Sequence, residues 1–388
     1  MPDCSLAVHA AFYLWYGIPQ HDGRWMHWDH PTLPHWTQGM NERYPPGRPF
    51  RPPDEPHCPF YPERGLYSSR DTAVLTAQFR ELAEVGVDTV MVSWWGQANK
   101  TVHRDSQGIS TDELIPAVLD AAAAAGIFVS WHIEPYGDRS PDSVYDDLIY
   151  LHVAYGQHPA VWRQRRPGST QDVPRTLPLV FLYDISAEHS GSTEAEQRAA
   201  RDAWYSMTSR LRGAAHDAVL VSLLVDRRDV EFVAEAGLDG AYTYFAARGF
   251  TEGSTPEKWH QLASGMEKAG KLFMPSVGPG YNDTLIRPWN TAATRGREAG
   301  GYYDNMWRSA LSASPSAVTI TSFNEWGEGT QIEAASEHVS SKGTVYAGYE
   351  SSPGMYMERT REWVARARAQ LAIDCASRDT ESNVREEL

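Results

Sequence analysis

Along most of the chain, short apolar runs rich in β-branched residues alternate with segments whose apolar positions recur every three or four residues. The alternation is regular from Ser69 onward. Leu75, Phe79 and Leu82 keep helical spacing up to Gly86, and 88–96 then reads as a strand. The same pair of signals repeats with strands at 127–136, 177–184, 218–225, 240–246, 271–278 and 316–323, each preceded by a helical segment. Ser110 with Glu113, and Ser254 with Glu257, have capping-box spacing, and Pro141 stands where a helix opens. With the first strand at 7–17 and a last helix at about 353–371, the pattern predicts eight strands alternating with eight helices. That is the signature of an α/β chain closed into a single (β/α)8 barrel, whose active site lies at the C-terminal strand ends. A doubly wound sheet would need a Gly-rich phosphate loop after the first strand, and none is present. Residues 18–69 show no periodicity and form a long loop insertion after the first strand. One catalytic domain over 1–375 is expected, followed by a charged, disordered tail over 376–388.

The strand ends carry the chemistry. They bring Trp15 and Tyr16, Trp94 and Trp95, Glu134 and Tyr136, Tyr183 and Asp184, Asp226, and Tyr242 and Tyr244 to one rim. The turn at 278–281, and then Asn324, Glu325 and Glu328, complete it. An aromatic-walled bowl holding carboxylates suits a glycan, which stacks through its C–H faces and offers many hydroxyls. Cleaving a glycosidic bond normally calls for two carboxyl groups, and Glu325 and Glu328, three residues apart across Gly327, can both face the bowl. Like charges that close would raise a pKa, which suits a catalytic acid. Glu134 is a third carboxylate or a hydroxyl clamp. Arg287 orients a carboxylate or a sugar hydroxyl, or bridges a helix end.

Composition narrows the partners. Among 388 residues there are 14 Trp and 19 Tyr, enough for many stacking surfaces beyond the core. A formal net charge of -15 argues against nucleic acid or an anionic membrane surface. Hydrophobic runs do not reach membrane length, and the N-terminal residues lack the features of a signal peptide. Cys4, Cys58 and Cys375 lie far apart and imply neither a zinc knuckle nor a disulfide framework. His21, His27, His30 and His35, with Asp22 and Asp29, invite a metal, but their spacing matches no known ligand pattern; no metal and no cofactor are expected. A G-x-S-x-G elbow is absent, which removes the usual serine hydrolase.

Several of these stretches together resemble glycoside hydrolase family 99. They are 12–17 (FYLWYG), 27–31 (HWDHP), 67–71 (YSSRD), 132–136 (HIEPY), 239–245 (DGAYTYF), 275–281 (PSVGPGY), 286–290 (IRPWN) and 322–331 (SFNEWGEGTQ). The likeness runs in matching order from about Tyr13 to Arg368. It implies a retaining endo-glycosidase that cuts internal α-1,2-mannosidic bonds of N-glycans or α-mannans without a metal. It also implies that the substrate's own 2-hydroxyl attacks the anomeric carbon, giving a 1,2-anhydro sugar that water opens. On that resemblance Glu325 is the base for the hydroxyl, and Glu328 is the acid for the leaving oxygen and then the base for water. Tyr13, Tyr16, Trp95, Glu134, Tyr136, Tyr244, Arg287 and Asn324 would contact substrate. Animal members have a histidine where this chain has Gly327, and Tyr-Pro where it has Trp95-Gly96. The second change resembles the bacterial mannanases and points to mannose beside the cleaved sugar. By the same resemblance the protein would be a monomer of the secretory pathway (Golgi or ER lumen) or secreted. A non-catalytic mannoside-binding barrel is the rival reading.

Overall fold

The computed structural model describes residues 6–169, 175–186 and 193–386, with side chains to residue 373. Eight parallel strands form the barrel: Ala7–Phe12, Thr89–Trp94, Phe128–Ile133, Leu177–Leu182, Val219–Leu223, Gly240–Tyr242, Leu272–Met274 continued by Ser276–Val277, and Ala317–Ile320. The sheet closes because the seventh strand is split by Pro275, which has no N–H to give the ladder. Its first part pairs with the sixth strand (Gly240↔Leu272), and its second part pairs with the eighth (Ser276↔Thr319). The eighth strand then pairs with the first, Ala7↔Ala317. Strands buried on both faces need side chains that are apolar in both directions, which is why these runs read as nearly continuous hydrophobic stretches.

Helices lie between the strands: Thr72–Glu84, Ile115–Ala125, Pro141–Ala154, Glu194–Leu211, Arg228–Glu235, Trp259–Lys268 and Gly301–Ser312, with Met355–Glu386 last. The last one runs well past the end expected near residue 371. Asp71 caps the first of them by accepting from the Ala73 amide, 2.8 Å. Pro141 does open its helix, behind a box between Ser140 and Ser143. The two boxes expected at Ser110–Glu113 and Ser254–Glu257 do not form, and 3-10 turns stand there instead. Box residues bond elsewhere: Ser254 Oγ accepts from the Thr251 amide (2.8 Å), Glu257 pairs with Arg248, and Glu113 lies 3.4 Å from Arg70.

The 18–69 insertion is more ordered than its lack of periodicity implied. It holds two short helices, Pro19–Asp22 and Gln38–Arg43, and a strand, Tyr61–Pro62, paired with Ala335–Ser336. Trp28 of this segment is fully buried. Inside the barrel Met91, Phe181, Val221, Tyr242 and Met274 form the packed floor. His9 is buried there against Trp162 and Phe181, and burial lowers its pKa to about 3, so the ring is a neutral core group. Cys58 is buried as a free thiol; Cys4 and the Cys375 side chain lie outside the described residues.

Candidate active site

Beyond the eighth strand the chain turns back on itself. Ser322 and Thr330 are joined by the Ser322 amide to the Thr330 carbonyl (2.9 Å) and by their hydroxyls (2.9 Å), while Ile332 N donates to Ser322 O at 2.9 Å. This closes a tight loop from Asn324 to Gly329. Inside it, the Glu325 amide donates to Ser322 Oγ (2.7 Å), and Glu325 Oε1 accepts from the Gly327 amide (3.0 Å). The Glu328 carbonyl takes the Asn282 amide, 2.7 Å, which ties the loop to the turn after the seventh strand. Both carboxyl groups are therefore mounted on a backbone with little freedom to move.

The two glutamates differ in surroundings. Glu325 is 5% exposed and sits beside Gly327. Burial first, and then the charge of Glu328, push its carboxyl well above the usual range. The Glu328 side chain is 22% exposed, with Arg287 Nη1 3.8 Å from Oε1. Burial raises it to about 7; Arg287 pulls it down, while Asp283 and Glu134 push it up. Arg287 is held by Asp283 Oδ2 at 3.0 Å, and the fully buried Asp283 also accepts two bonds from Asn290 Nδ2. Arg287 thus stands beside the Glu328 carboxylate.

Across the bowl, Glu134 receives Ser93 Oγ (2.8 Å) and the His132 ring (Nδ1, 2.9 Å), both on Oε1. His132 passes through its other nitrogen to the Tyr242 hydroxyl, 2.6 Å, down in the barrel floor. The Tyr13 and Tyr244 hydroxyls are in direct hydrogen-bond contact. Tyr244 holds a left-handed φ of 50°, fixed by its amide donating to Ser276 Oγ (2.7 Å), a conformation that a bulky residue keeps only when its surroundings demand it. The charges of Glu134 and Glu328 reach Tyr13, Tyr183 and Tyr244 alike, so these groups border one space. Burial raises all three phenols, and they stay neutral donors. Trp15 lies between Tyr13 (4.5 Å) and His27 (4.2 Å, 6° from parallel), and Trp95 is partly exposed above the second strand.

Three of the expected sugar contacts are buried, with polar atoms bonded within the protein. Asn324 is fully buried; its amide binds both backbone groups of Tyr13 and reaches the Tyr67 hydroxyl at 3.4 Å. The Tyr16 hydroxyl accepts from the Trp326 amide (3.0 Å), and Tyr16 is 1% exposed. Tyr136 is buried, with its hydroxyl bonded to Asp147 and Ser143. Each sits at a strand end. Reading the residues in order also missed the support around the glutamates. Glu333 binds Arg64, Gln78, Tyr67 and the Trp326 indole, and the Asp283 and His132 links described above are equally structural. His132 and Glu134 share a strand face at i, i+2, and Asp283 and Arg287 stand at i, i+4; that spacing was the available signal.

The histidines of the insertion go to separate partners. His27 Nε2 meets Asp105 at 2.8 Å, and His30 Nδ1 meets the Pro31 carbonyl at 2.8 Å. Among the described residues no three His, Cys, Asp or Glu side chains converge as a metal site would require.

The family model described as Glycosyl hydrolase family 99 matches residues 4–369. A Rattus norvegicus protein described as a glycoprotein endo-alpha-1,2-mannosidase is 39% identical over 370 residues, 94% of this chain and 75% of its own. A Homo sapiens glycoprotein endo-alpha-1,2-mannosidase-like protein is 39% identical over 364 residues, 92% of this chain and 74% of its own. In three dimensions the chain is similar to the GH99 endo-alpha-mannosidase from Bacteroides thetaiotaomicron, with a TM-score of 0.74 and 34% identity, covering 93% of this chain and 97% of that one.

Proposed function

The chain belongs to glycosyl hydrolase family 99 and is a glycoside hydrolase, and from that premise we propose that it cuts internal α-1,2-mannosidic bonds in a mannose-containing glycan with retention at the anomeric carbon. The observation that carries this reading is the pairing of Glu325 and Glu328 on one rigid loop, facing an aromatic bowl, with both carboxyls raised and only Glu328 next to a guanidinium.

Two interacting carboxyls that are both raised hold one proton between them through neutral pH. The reaction requires that proton on Glu328 and a negative charge on Glu325. Glu325 takes the proton of the substrate's 2-hydroxyl, O2 bonds to C1, and the C1–O bond to the next sugar breaks as Glu328 protonates the leaving oxygen. The product is a 1,2-anhydro sugar. Glu328, now ionised and stabilised by Arg287, takes a proton from water as water attacks C1. The epoxide C1–O2 bond opens, and O2 recovers its proton from Glu325. Both carboxyls return to their starting states. A raised pKa suits a base that must deprotonate a weakly acidic hydroxyl, and one near 7 suits an acid at neutral pH.

Glu134 and the Tyr13–Tyr244 pair supply an acceptor and donors for sugar hydroxyls, and Trp95 gives a stacking face. Trp95-Gly96 and Gly327 favour mannose over glucose beside the cleaved sugar, as in α-mannans. Among the described residues no helix is long and apolar enough to cross a membrane; action as a monomer on secreted or secretory-pathway glycans is part of the proposal.

Product analysis on yeast α-mannan and a glucosylated high-mannose N-glycan, side by side, tests it. The expected result is release of oligosaccharide from within α-1,2-linked chains, a first-formed product of retained anomeric configuration, and faster turnover of mannan. Glu325→Gln and Glu328→Gln should each lower turnover by about a hundred- to ten-thousandfold while still binding glycan. Near-normal turnover by either variant would refute the assigned roles, and wild-type binding without product would favour the non-catalytic barrel.

A further inference from the structure

We propose that His35, Trp36 and Trp289 form an outer sugar subsite on the Glu328 side of the bowl, stacking a pyranose ring of the departing part of the glycan. Trp36 is 88% exposed, more than any other large hydrophobic side chain among the described residues. An indole left in water at that level gains nothing for the fold, and rings of this kind are where apolar sugar faces bind.

It is not a loose loop tip. Trp36 stacks on the His35 ring at 3.7 Å and 28°, and His35 packs edge-on against Trp289 at 4.9 Å and 82°. The His35 backbone is gripped from both sides by one amide: its N–H donates to Asn41 Oδ1 (2.6 Å), and its carbonyl accepts from Asn41 Nδ2 (2.8 Å). The ring itself is set by the Thr37 amide, which donates to His35 Nδ1 at 2.9 Å. Three aromatic rings are thus held in a fixed step, with the outermost face open.

The platform is also fastened to the catalytic side. Leu33 N donates to Ile286 O at 2.9 Å, joining the insertion to the segment that carries Arg287. Trp289 follows Arg287 by two residues, and the next residue, Asn290, shares the buried Asp283 with Arg287. Arg287 in turn faces Glu328, the group assigned to the leaving oxygen. A glycan leaving Glu328 along this wall meets Trp289 and then Trp36. This assignment of occupant rests on the proposed function, since it takes the leaving-group side from the role of Glu328.

The test compares wild type, Trp36→Ala and Trp36→Phe on α-1,2-linked manno-oligosaccharides lengthened only on the reducing side of the scissile bond. In wild type kcat/KM should rise as the added sugars reach the platform. In Trp36→Ala that gain should shrink by about three- to tenfold, and Trp36→Phe should keep most of it. The loss should be clearly larger on the long substrates than on the shortest. Equal losses at all lengths, or none at any, would overturn the subsite. Titration of the longest oligosaccharide into each protein gives a readout independent of turnover. Weaker binding by Trp36→Ala supports the platform even if no bond is cut, an outcome that would sink the mannosidase reading alone. Unchanged binding overturns the platform even where the enzyme is active.

Discussion

Asn324 binds Tyr13 as a neighbouring strand would: the Tyr13 amide donates to Asn324 Oδ1 at 2.8 Å, and Asn324 Nδ2 donates to the Tyr13 carbonyl at 2.9 Å. The residue before Glu325 thereby fixes the backbone of a tyrosine on the opposite side of the barrel seam, past the point where the first and eighth strands stop pairing.

Only a neutral carboxamide can do this. Asn324→Asp keeps the shape, but an ionised carboxylate accepts from the Tyr13 amide and cannot donate to its carbonyl. It would also add a third negative charge near the glutamate pair. The expected result is a stability loss of about 1–3 kcal/mol, the usual cost of a buried polar group left without its partner, together with a fall in kcat larger than the rise in KM. Thermal melts and steady-state kinetics measure both. Full activity with an unchanged melting point would show that the bridge does not matter.

Arg297 holds the other end of the 324–329 loop. Its guanidinium lies 4.4, 4.8 and 4.6 Å from the ring centres of Phe60, Tyr349 and Tyr356. Its Nη2 donates to the Gly329 carbonyl (2.9 Å) and the Gln331 carbonyl (2.8 Å). A planar, weakly hydrated cation suits a box of aromatic faces, whereas an ammonium is compact and strongly hydrated. Arg297→Lys should therefore destabilise the fold by about 2 kcal/mol or more despite keeping the charge, read as a lowered denaturation midpoint.

Much of this was legible in order along the chain, for a physical reason. Strand alternation and helix periodicity are local, so the eight-strand barrel and the rim position of Glu134, Tyr244 and Glu325 follow from residues close in sequence. Depth is not local. Tyr16, Tyr136 and Asn324 stand at strand ends as a sugar contact would, but Trp326, Asp147 of the following helix and Tyr13 occupy their polar atoms. The failed capping boxes have a like origin, because Glu113 is paired with Arg70 and Glu257 with Arg248. The insertion seemed formless because its order comes from ring stacking and contacts to the 282–290 segment, neither of which leaves a period.

The line from Tyr242 through His132 to Glu134 makes a further prediction. With Glu134 accepting from Nδ1–H, the Nε2 atom of His132 accepts from the Tyr242 hydroxyl. Tyr242→Phe removes one oxygen atom from a fully buried ring and leaves Nε2 unpaired. A loss of about 1–3 kcal/mol is expected, with kcat/KM reduced because Glu134 is no longer oriented through His132. Calorimetric unfolding and kinetics on one mannan fragment would check it, and the effect on KM should exceed that on kcat if Glu134 is a binding group.

The pH profile tests the division of labour between the two glutamates. As pH rises, the last proton shared by the pair is lost, and with it the acid that protonates the leaving oxygen. Since Glu328 stands at about 7 and burial and the Glu328 charge raise Glu325 as well, the pair's last proton leaves above neutrality, and kcat/KM should fall on the alkaline side from there. Arg287 favours the ionised form of Glu328, so removing its charge must raise that pKa. Arg287→Gln is thus expected to be slower overall, having lost stabilisation of the Glu328 anion. Its alkaline limb should nevertheless move to higher pH. Asp283→Asn removes a nearby negative charge that raises Glu328, so its limb should move the opposite way, while Asn can still accept from Arg287 through its amide oxygen. Opposite displacements in the two variants identify Glu328 as the group that titrates on the alkaline limb. Parallel displacements, or none, would mean that another group sets that limb and that Glu328 is not the acid.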